Sequence, residues 1–259
     1  MSSRTPKQVA RLAFVLSLLA AATQTGVQAR AEETSPDVQK ANRKLVEYQT
    51  KEARAAIQPT VARADTDGAI AVTLGRVLEQ ENKYDEAAKT LVKAAQLLPG
   101  DPSPQLYLGE TYVHTGRFGD AEAAFGKAAK LAQIAVQKDG NNAAAWYCLG
   151  VAQQRIKQYD NAFDSLAKAA KAGFDSTLVL FQQGTTRVMG GKWQEAVELL
   201  TRALNENSGL AYAYYYRGLA QDKLGKKDQL VLDMDRFLKI APQAPEADKA
   251  RAVVKAAKR

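Results

Sequence analysis

The side chains in this sequence that could carry chemistry are few and scattered. There is one histidine, His114, in Tyr-Val-His-Thr-Gly, and one cysteine, Cys148, in Trp-Tyr-Cys-Leu-Gly. A nucleophile–base–orienter set would need a serine or threonine beside His114 and a carboxylate behind it. Thr111 and Thr115 are its neighbours, and nothing in the pattern recommends them. A lone histidine supplies no histidine-based zinc site, and a single cysteine excludes an intramolecular disulfide and any multi-cysteine metal site. No G-x-x-x-x-G-K-S/T run occurs, and Gly190-Gly191-Lys192 reads as a turn between helices. Asp85, Glu86 and Asp160 stand where helices open, so capping and the helix dipole account for them. The chain therefore reads as a non-enzyme with no cofactor and no metal. His114 is expected on the surface near a helix end. Cys148 is expected to be a buried apolar residue, the rival role being an exposed thiol that pairs two chains.

The elements that would position a site are periodic. Asn142 to Lys171 reads as two short helices folded into a hairpin, and the pattern recurs. The glycine of the first helix is Gly75, Gly109, Gly150, Gly184 and Gly218, and the steps between them are 34, 41, 34 and 34. The residue opening the core face of the second helix is Ala87, Ala121, Ala162, Ala196 and Leu230, on the same beat. Glycine costs a helix roughly 1 kcal/mol against alanine, so five at one repeat position imply close helix approach. Tyr84, Phe118, Tyr159 and Trp193 end the turn between helices; Lys227 replaces them in the fifth unit, where a looser hairpin is expected.

A 34-residue helix-turn-helix period of this kind resembles the tetratricopeptide repeat. The resemblance rests on Leu74-Gly75, Ala87, Leu91, Ala94 and Pro99, then Leu108-Gly109, Tyr112, Ala121, Phe125 and Ala128. It continues with Trp146, Leu149-Gly150, Ala162, Leu166 and Ala169, then Gly184, Ala196, Leu200 and Ala203, and finally Gly218, Phe237 and Pro242. It implies an all-α fold, a right-handed α-solenoid of about five hairpins over residues 68–244: 68–101, 102–142, 143–176, 177–210 and 211–244. Neither helix of a hairpin buries its apolar face alone, so the hairpins stack.

The long interval adds seven residues within KLAQIAVQKDGNN, close to two helical turns, about 10 Å of extra second helix. Ile134 and Val136 there form either a protruding apolar tip or packing for the next hairpin. Upstream, Val38, Ala41, Leu45, Tyr48 and Ala53 mark a helix from 38 to 57, which Pro59 should break. Counting back 34 from Ala87 and Leu91 lands on Ala53 and Ile57, so 51–66 reads as the second helix of a degenerate leading repeat inside segment 32–67. After Pro245, residues 245–259 read as a capping helix with a basic tail.

Residues 1–31 have the layout of a secretory signal peptide: Arg4, Lys7 and Arg11, an apolar run 12–22, and small-x-small sites ending at Ala29 and Ala31. The rival reading is a retained N-terminal anchor. Cleavage removes four of the 36 basic residues and none of the 28 acidic ones, halving the balance of +8. Neither nucleic acid nor a membrane span is expected.

In the family the first helices line the concave side of the superhelix. The resemblance thereby maps a peptide-binding groove onto Val72, Leu106, Tyr147, Phe181 and Tyr215 at one repeat position, and Arg76, Glu110, Val151, Thr185 and Leu219 at another. The Lys and Asn residues by which some members clamp a C-terminal carboxylate are missing. Tyr147, Phe181 and Tyr215 should form one aromatic column, either as exposed anchors or as filler between adjacent first helices. The function expected is a non-catalytic protein–protein interaction scaffold that takes a peptide or helical segment in the bacterial periplasm or cell envelope. The rivals are a structural or homo-oligomerisation module, whose groove holds a second copy or helix 38–57, and an accessory that binds a sugar or cell-wall ligand.

Overall fold

The computed structural model describes residues 35–257. The leader assigned to 1–31, both cleavage sites, and Lys258 and Arg259 of the basic tail lie outside the described residues. Every regular element among the described residues is helical.

A leading hairpin pairs α1 (Pro36–Val46) with α2 (Thr50–Ile57), which runs on into a 3₁₀ turn, Gln58–Arg63. Five hairpins follow: α3 (Gly68–Gln80) with α4 (Tyr84–Leu97), α5 (Ser103–His114) with α6 (Phe118–Lys138), α7 (Ala143–Arg155) with α8 (Tyr159–Lys171), α9 (Ser176–Met189) with α10 (Trp193–Glu206), and α11 (Ala211–Lys223) with α12 (Lys227–Ile240). Helix α13 (Ala247–Ala257) closes the stack. Each second helix packs on its own first helix and on the first helix of the next unit.

One turn chemistry ends the first helix of all six hairpins and recurs at Gly173, after α8. Tyr48, Asn82, Gly116, Lys157, Gly173, Gly191 and Gly225 take positive φ, from 56° to 91°. In each case the next residue's N–H bonds the carbonyl five residues back, at 2.8–2.9 Å. This is the Schellman arrangement that stops a helix and satisfies its last carbonyls. Tyr48 lies one repeat period before Asn82, so the leading hairpin is in register with the others. The single helix expected over 38–57 is thus two helices. The apolar step from Tyr48 to Ala53 is five residues rather than three or four, and the turn falls in that slip. The second helix expected over 51–66 is α2 followed by the 3₁₀ turn, because Pro59 lacks the N–H that would continue an α-helix.

The repeated glycines sit where helices touch. A Cβ on Gly75, Gly109, Gly150 or Gly184 would fall 2.5–2.7 Å from Leu91, Phe125, Leu166 or Leu200, sixteen residues on. At Gly218 the nearest atom is the flexible Cε of Met234, at 3.1 Å. At this one contact the fifth hairpin leaves more room than the other four.

The two ends of the stack meet. The Tyr48 ring, in the leading turn, lies 5.9 Å from that of Tyr212 on α11. The Tyr212 hydroxyl donates to Glu246, which leads into α13, at 2.6 Å. No helix among the described residues is long and apolar enough to cross a membrane.

Candidate functional site

The resemblance put the groove on the first-helix face. Nine of the ten expected groove residues are buried: Val72, Arg76, Leu106, Glu110, Tyr147, Val151, Phe181, Thr185 and Tyr215; Leu219 is half-buried. Tyr147 and Tyr215 are each 1 % exposed and Phe181 5 %. Tyr147 stacks on Phe174 with centroids 4.4 Å apart, and Phe181 lies 6.4 Å from Tyr216. Tyr215 lies 5.1 Å from Phe237 of α12. The rings therefore act as filler between helices, the second of the two roles open to them, and not as solvent-open anchors.

The polar members of this face each have a partner, although Arg76 Nε and Nη2 and Glu110 Oε2 are buried without one. Arg76 donates to Asn42 of the leading hairpin and lies 4.8 Å over the Tyr107 ring. Glu110 accepts from Arg155 of the next repeat, both side chains 2 % exposed. Burial pushes the Glu110 carboxyl up to about 8, with Arg155 opposing and Glu79 adding like charge. Gln154 donates to Thr185 and Thr186 of the following first helix at 2.9 and 2.8 Å.

His114 departs from expectation as well. Its side chain is 5 % exposed, with Nε2 3.3 Å from Glu79 Oε1 and the ring stacked on Tyr84 at 4.6 Å. The first helices converge here, so a residue at a helix end is covered by the neighbouring repeat. The Thr111 and Thr115 hydroxyls bond back to Tyr107 and Thr111 carbonyls of their own helix. Neither is directed to His114 as a nucleophile.

An open concavity lies elsewhere, where α6 outruns its neighbours. Helix α6 has 21 residues, against 13 or 14 in the other four second helices. Its overhang, the loop after α4 and the start of α7 enclose a cleft of about 740 Å³. That size is usual for a ligand pocket. Its walls are Leu97, Leu98, Pro99, Leu131, Ile134 and Ala135, with Cys148 also lining it. Its rim carries Asp101, Ser103, Lys138, Asp139 and Asn142. Ile134 is 61 % exposed, whereas Val136 is 5 % exposed. The two side chains of the insertion thus divide the expected roles, one a tip and the other packing.

The rim is ordered by its own hydrogen bonds. Asp101 Oδ1 accepts from the Ser103 N–H and hydroxyl at 2.8 and 2.7 Å. Asn142 Oδ1 caps α7 through the Ala145 N–H at 2.9 Å. Burial pushes the Cys148 thiol far above its usual range, so it stays protonated and is a poor nucleophile. The arrangement can hold an apolar group against aliphatic walls with a cation, Lys138, at the mouth. Sequence reasoning located the overhang from the long second interval but not the wall contributed by Leu97, Leu98 and Pro99. Nothing in their local pattern separates them from an ordinary inter-repeat loop.

Family models described as tetratricopeptide repeats match residues 39–103 and 108–176, residues 78–133, and residues 178–209. The first of these alone spans more than half of the chain. The chain belongs to the tetratricopeptide repeat family. The match from residue 39 takes in the leading hairpin, in agreement with its turn geometry. Among solved structures, a thermophilic tetratricopeptide repeat protein of Thermus thermophilus is similar, with 17% identity over 74% of this chain and 99% of that one, at a TM-score of 0.57. A chain from an APC/C hetero-tetramer is similar over 90% of this chain and 45% of its own, at 15% identity and a TM-score of 0.55. At such identities the likeness shows the tetratricopeptide fold alone. No curated protein matches the sequence.

Proposed function

We propose that this tetratricopeptide repeat protein is a non-catalytic interaction scaffold that docks an apolar segment of a protein partner in the cleft beside the overhang of α6. The observation that supports this is Ile134, 61 % exposed on the wall of a cleft of about 740 Å³. Ile134 does not stand alone: Leu97, Leu98, Pro99, Leu131 and Ala135 line the same cleft, and contiguous apolar surface in a concavity marks interaction sites. The concave face offers less, because its aromatic column is already covered.

A photo-crosslinking residue placed at Ile134 tests this, with one at Leu232, the other most exposed aliphatic residue, 58 % exposed on α12, as the control. The expected result is a discrete protein adduct from position 134 that Leu131→Asp abolishes. Equal adducts from both positions, or none from position 134, would overturn the docking assignment. We further propose that the protein is exported and works in the periplasm or cell envelope, on the strength of the leader layout in residues 1–31.

A further inference from the structure

The two ends of the stack meet at a seam, and the seam is narrow. From the N-terminal side come Tyr48, whose ring lies 5.9 Å from that of Tyr212, and Glu47, which lies against Gly209. A Cβ on that glycine would stand 3.5 Å from Glu47 Cγ. From the C-terminal side comes Glu246, 5 % exposed, which accepts from the Tyr212 hydroxyl at 2.6 Å. The charge of Glu246 reaches Tyr48, Tyr84 on α4 and His114 on α5. The residue that leads into the cap thus stands on the concave side, facing the first two repeats. Among the described residues, no helix of the leading hairpin packs along α11, α12 or α13. Side chains of one turn and one cap therefore close the ring.

Tyr48 serves the seam and not its own turn. It stops α1 at φ 56°, a left-handed conformation that disfavours a bulky side chain and that glycine enters freely. Glycine fills the matching place at Gly116, Gly191 and Gly225. The leading hairpin also has an apolar core of its own, built on Leu45, Ala53 and Ile57 and closed by Ile70 and Val77 of α3. The Tyr48 ring is outside that cluster and packs on the main core instead. Neither the turn nor the hairpin core calls for this ring; the seam does.

The seam and the hairpins differ in what opening uncovers. Parting two hairpins puts aliphatic and aromatic side chains into water, which the hydrophobic effect opposes. Parting the seam uncovers a carboxylate, hydroxyls and a few ring edges. The hydroxyl and carboxylate exchange their hydrogen bond for bonds to water at a small net change. Stability is not uniform across a fold, and contacts with little buried apolar surface open first.

We propose that the seam is a clasp: Tyr48 and Glu246 hold the concave face shut, and the ring opens there while its hairpins stay folded. His114 reports on opening, since it is the one histidine in the chain and its side chain is 5 % exposed in the closed ring. The test compares Tyr48→Gly, which suits the turn and removes the ring, with Tyr48→Phe, which keeps the ring. One readout is the rate at which diethyl pyrocarbonate modifies His114. The other is the distance between spin labels at Glu52→Cys on α2 and Ala252→Cys on α13, both exposed positions; the native Cys148 is buried. Tyr48→Gly should speed His114 modification about tenfold, the order expected for one lost aromatic contact. It should also widen the label distance with circular dichroism unchanged, and Tyr48→Phe should match the parent. Glu246→Ala should open the ring from the other side, and it carries the test if Tyr48→Gly does not fold. Label distances at the parent value, widening without faster His114 modification, equal effects of Tyr48→Gly and Tyr48→Phe, or loss of helicity in both opening variants would each overturn the proposal. Neither readout involves the cleft beside α6.

Discussion

Replacing Gly150 and Gly218 by alanine should have unlike effects, although both occupy the same repeat position. Alanine gains roughly 1 kcal/mol of helix propensity over glycine at either site. At Gly150 the new Cβ would lie 2.7 Å from Leu166 Cγ and 3.0 Å from the Ala162 carbonyl oxygen. Cγ is the branch point of a fully buried side chain and the oxygen is backbone, so neither swings aside. Helix α8 must shift, and overpacking of this kind costs about 1–3 kcal/mol. Because a backbone oxygen is among the contacts, the cost falls in the upper part of that range, about 2–3 kcal/mol, and the net expectation is destabilisation by about 1–2 kcal/mol. At Gly218 the first contact is the Met234 methyl at 3.1 Å, which rotates away, and the next is Asp233 Cβ at 3.3 Å. There the propensity gain offsets the squeeze, and Gly218→Ala should stay within about 0.5 kcal/mol of the parent. Urea denaturation followed by circular dichroism, with unchanged m-values, measures both. Gly150→Ala as stable as the parent, or equal losses at the two sites, would refute the close-approach account of the glycines. Gly150→Leu, with a larger group at the same contact, should lose roughly 2–4 kcal/mol.

Tyr147→Ala, Phe181→Ala and Tyr215→Ala should each lower stability by about 3–5 kcal/mol, as buried aromatic truncations do, and thermal melts read this directly. Losses under about 1 kcal/mol would return these rings to the role of exposed anchors. Because burial raises the Glu110 carboxyl to about 8, its contribution to stability should be complete below the usual carboxylate pKa and fade as pH rises through about 8. Melts of the parent between pH 5 and 8.5 should fall relative to those of Glu110→Gln, and parallel profiles would contradict the assignment. The exported chain should begin at Arg30 or Glu32; N-terminal sequencing that returned Met1 or Ser2 would reject a cleaved leader.

Much of the fold was legible because repeat packing is local. Gly150 meets Leu166 sixteen residues on, within one hairpin, and such a contact leaves its trace in spacing and residue type. The five glycines, the residues facing them and the seven-residue overhang were all readable in this way. The leading hairpin was half legible: Ala53 and Ile57 kept the beat, but Tyr48 at a position favouring glycine hid the turn. Its ring is held from outside the hairpin, by Tyr212, and no local pattern records that.

What the sequence by itself determined was the hairpin, its period and the order of the stack, since each follows from contacts between residues a few turns apart. The tertiary structure alone decided how tightly the stack winds. Small rotations between successive hairpins add over five repeats, and the sum brings the leading turn to α11 and the α13 cap. That winding buried His114 against Glu79 and Tyr84, and helped turn the expected groove aromatics into filler. It also left an open concavity beside the α6 overhang, with Ile134 on its wall. A constant period fixes which positions align, but not the angle at which they meet; that angle comes from side-chain shapes across each interface, which no spacing rule encodes.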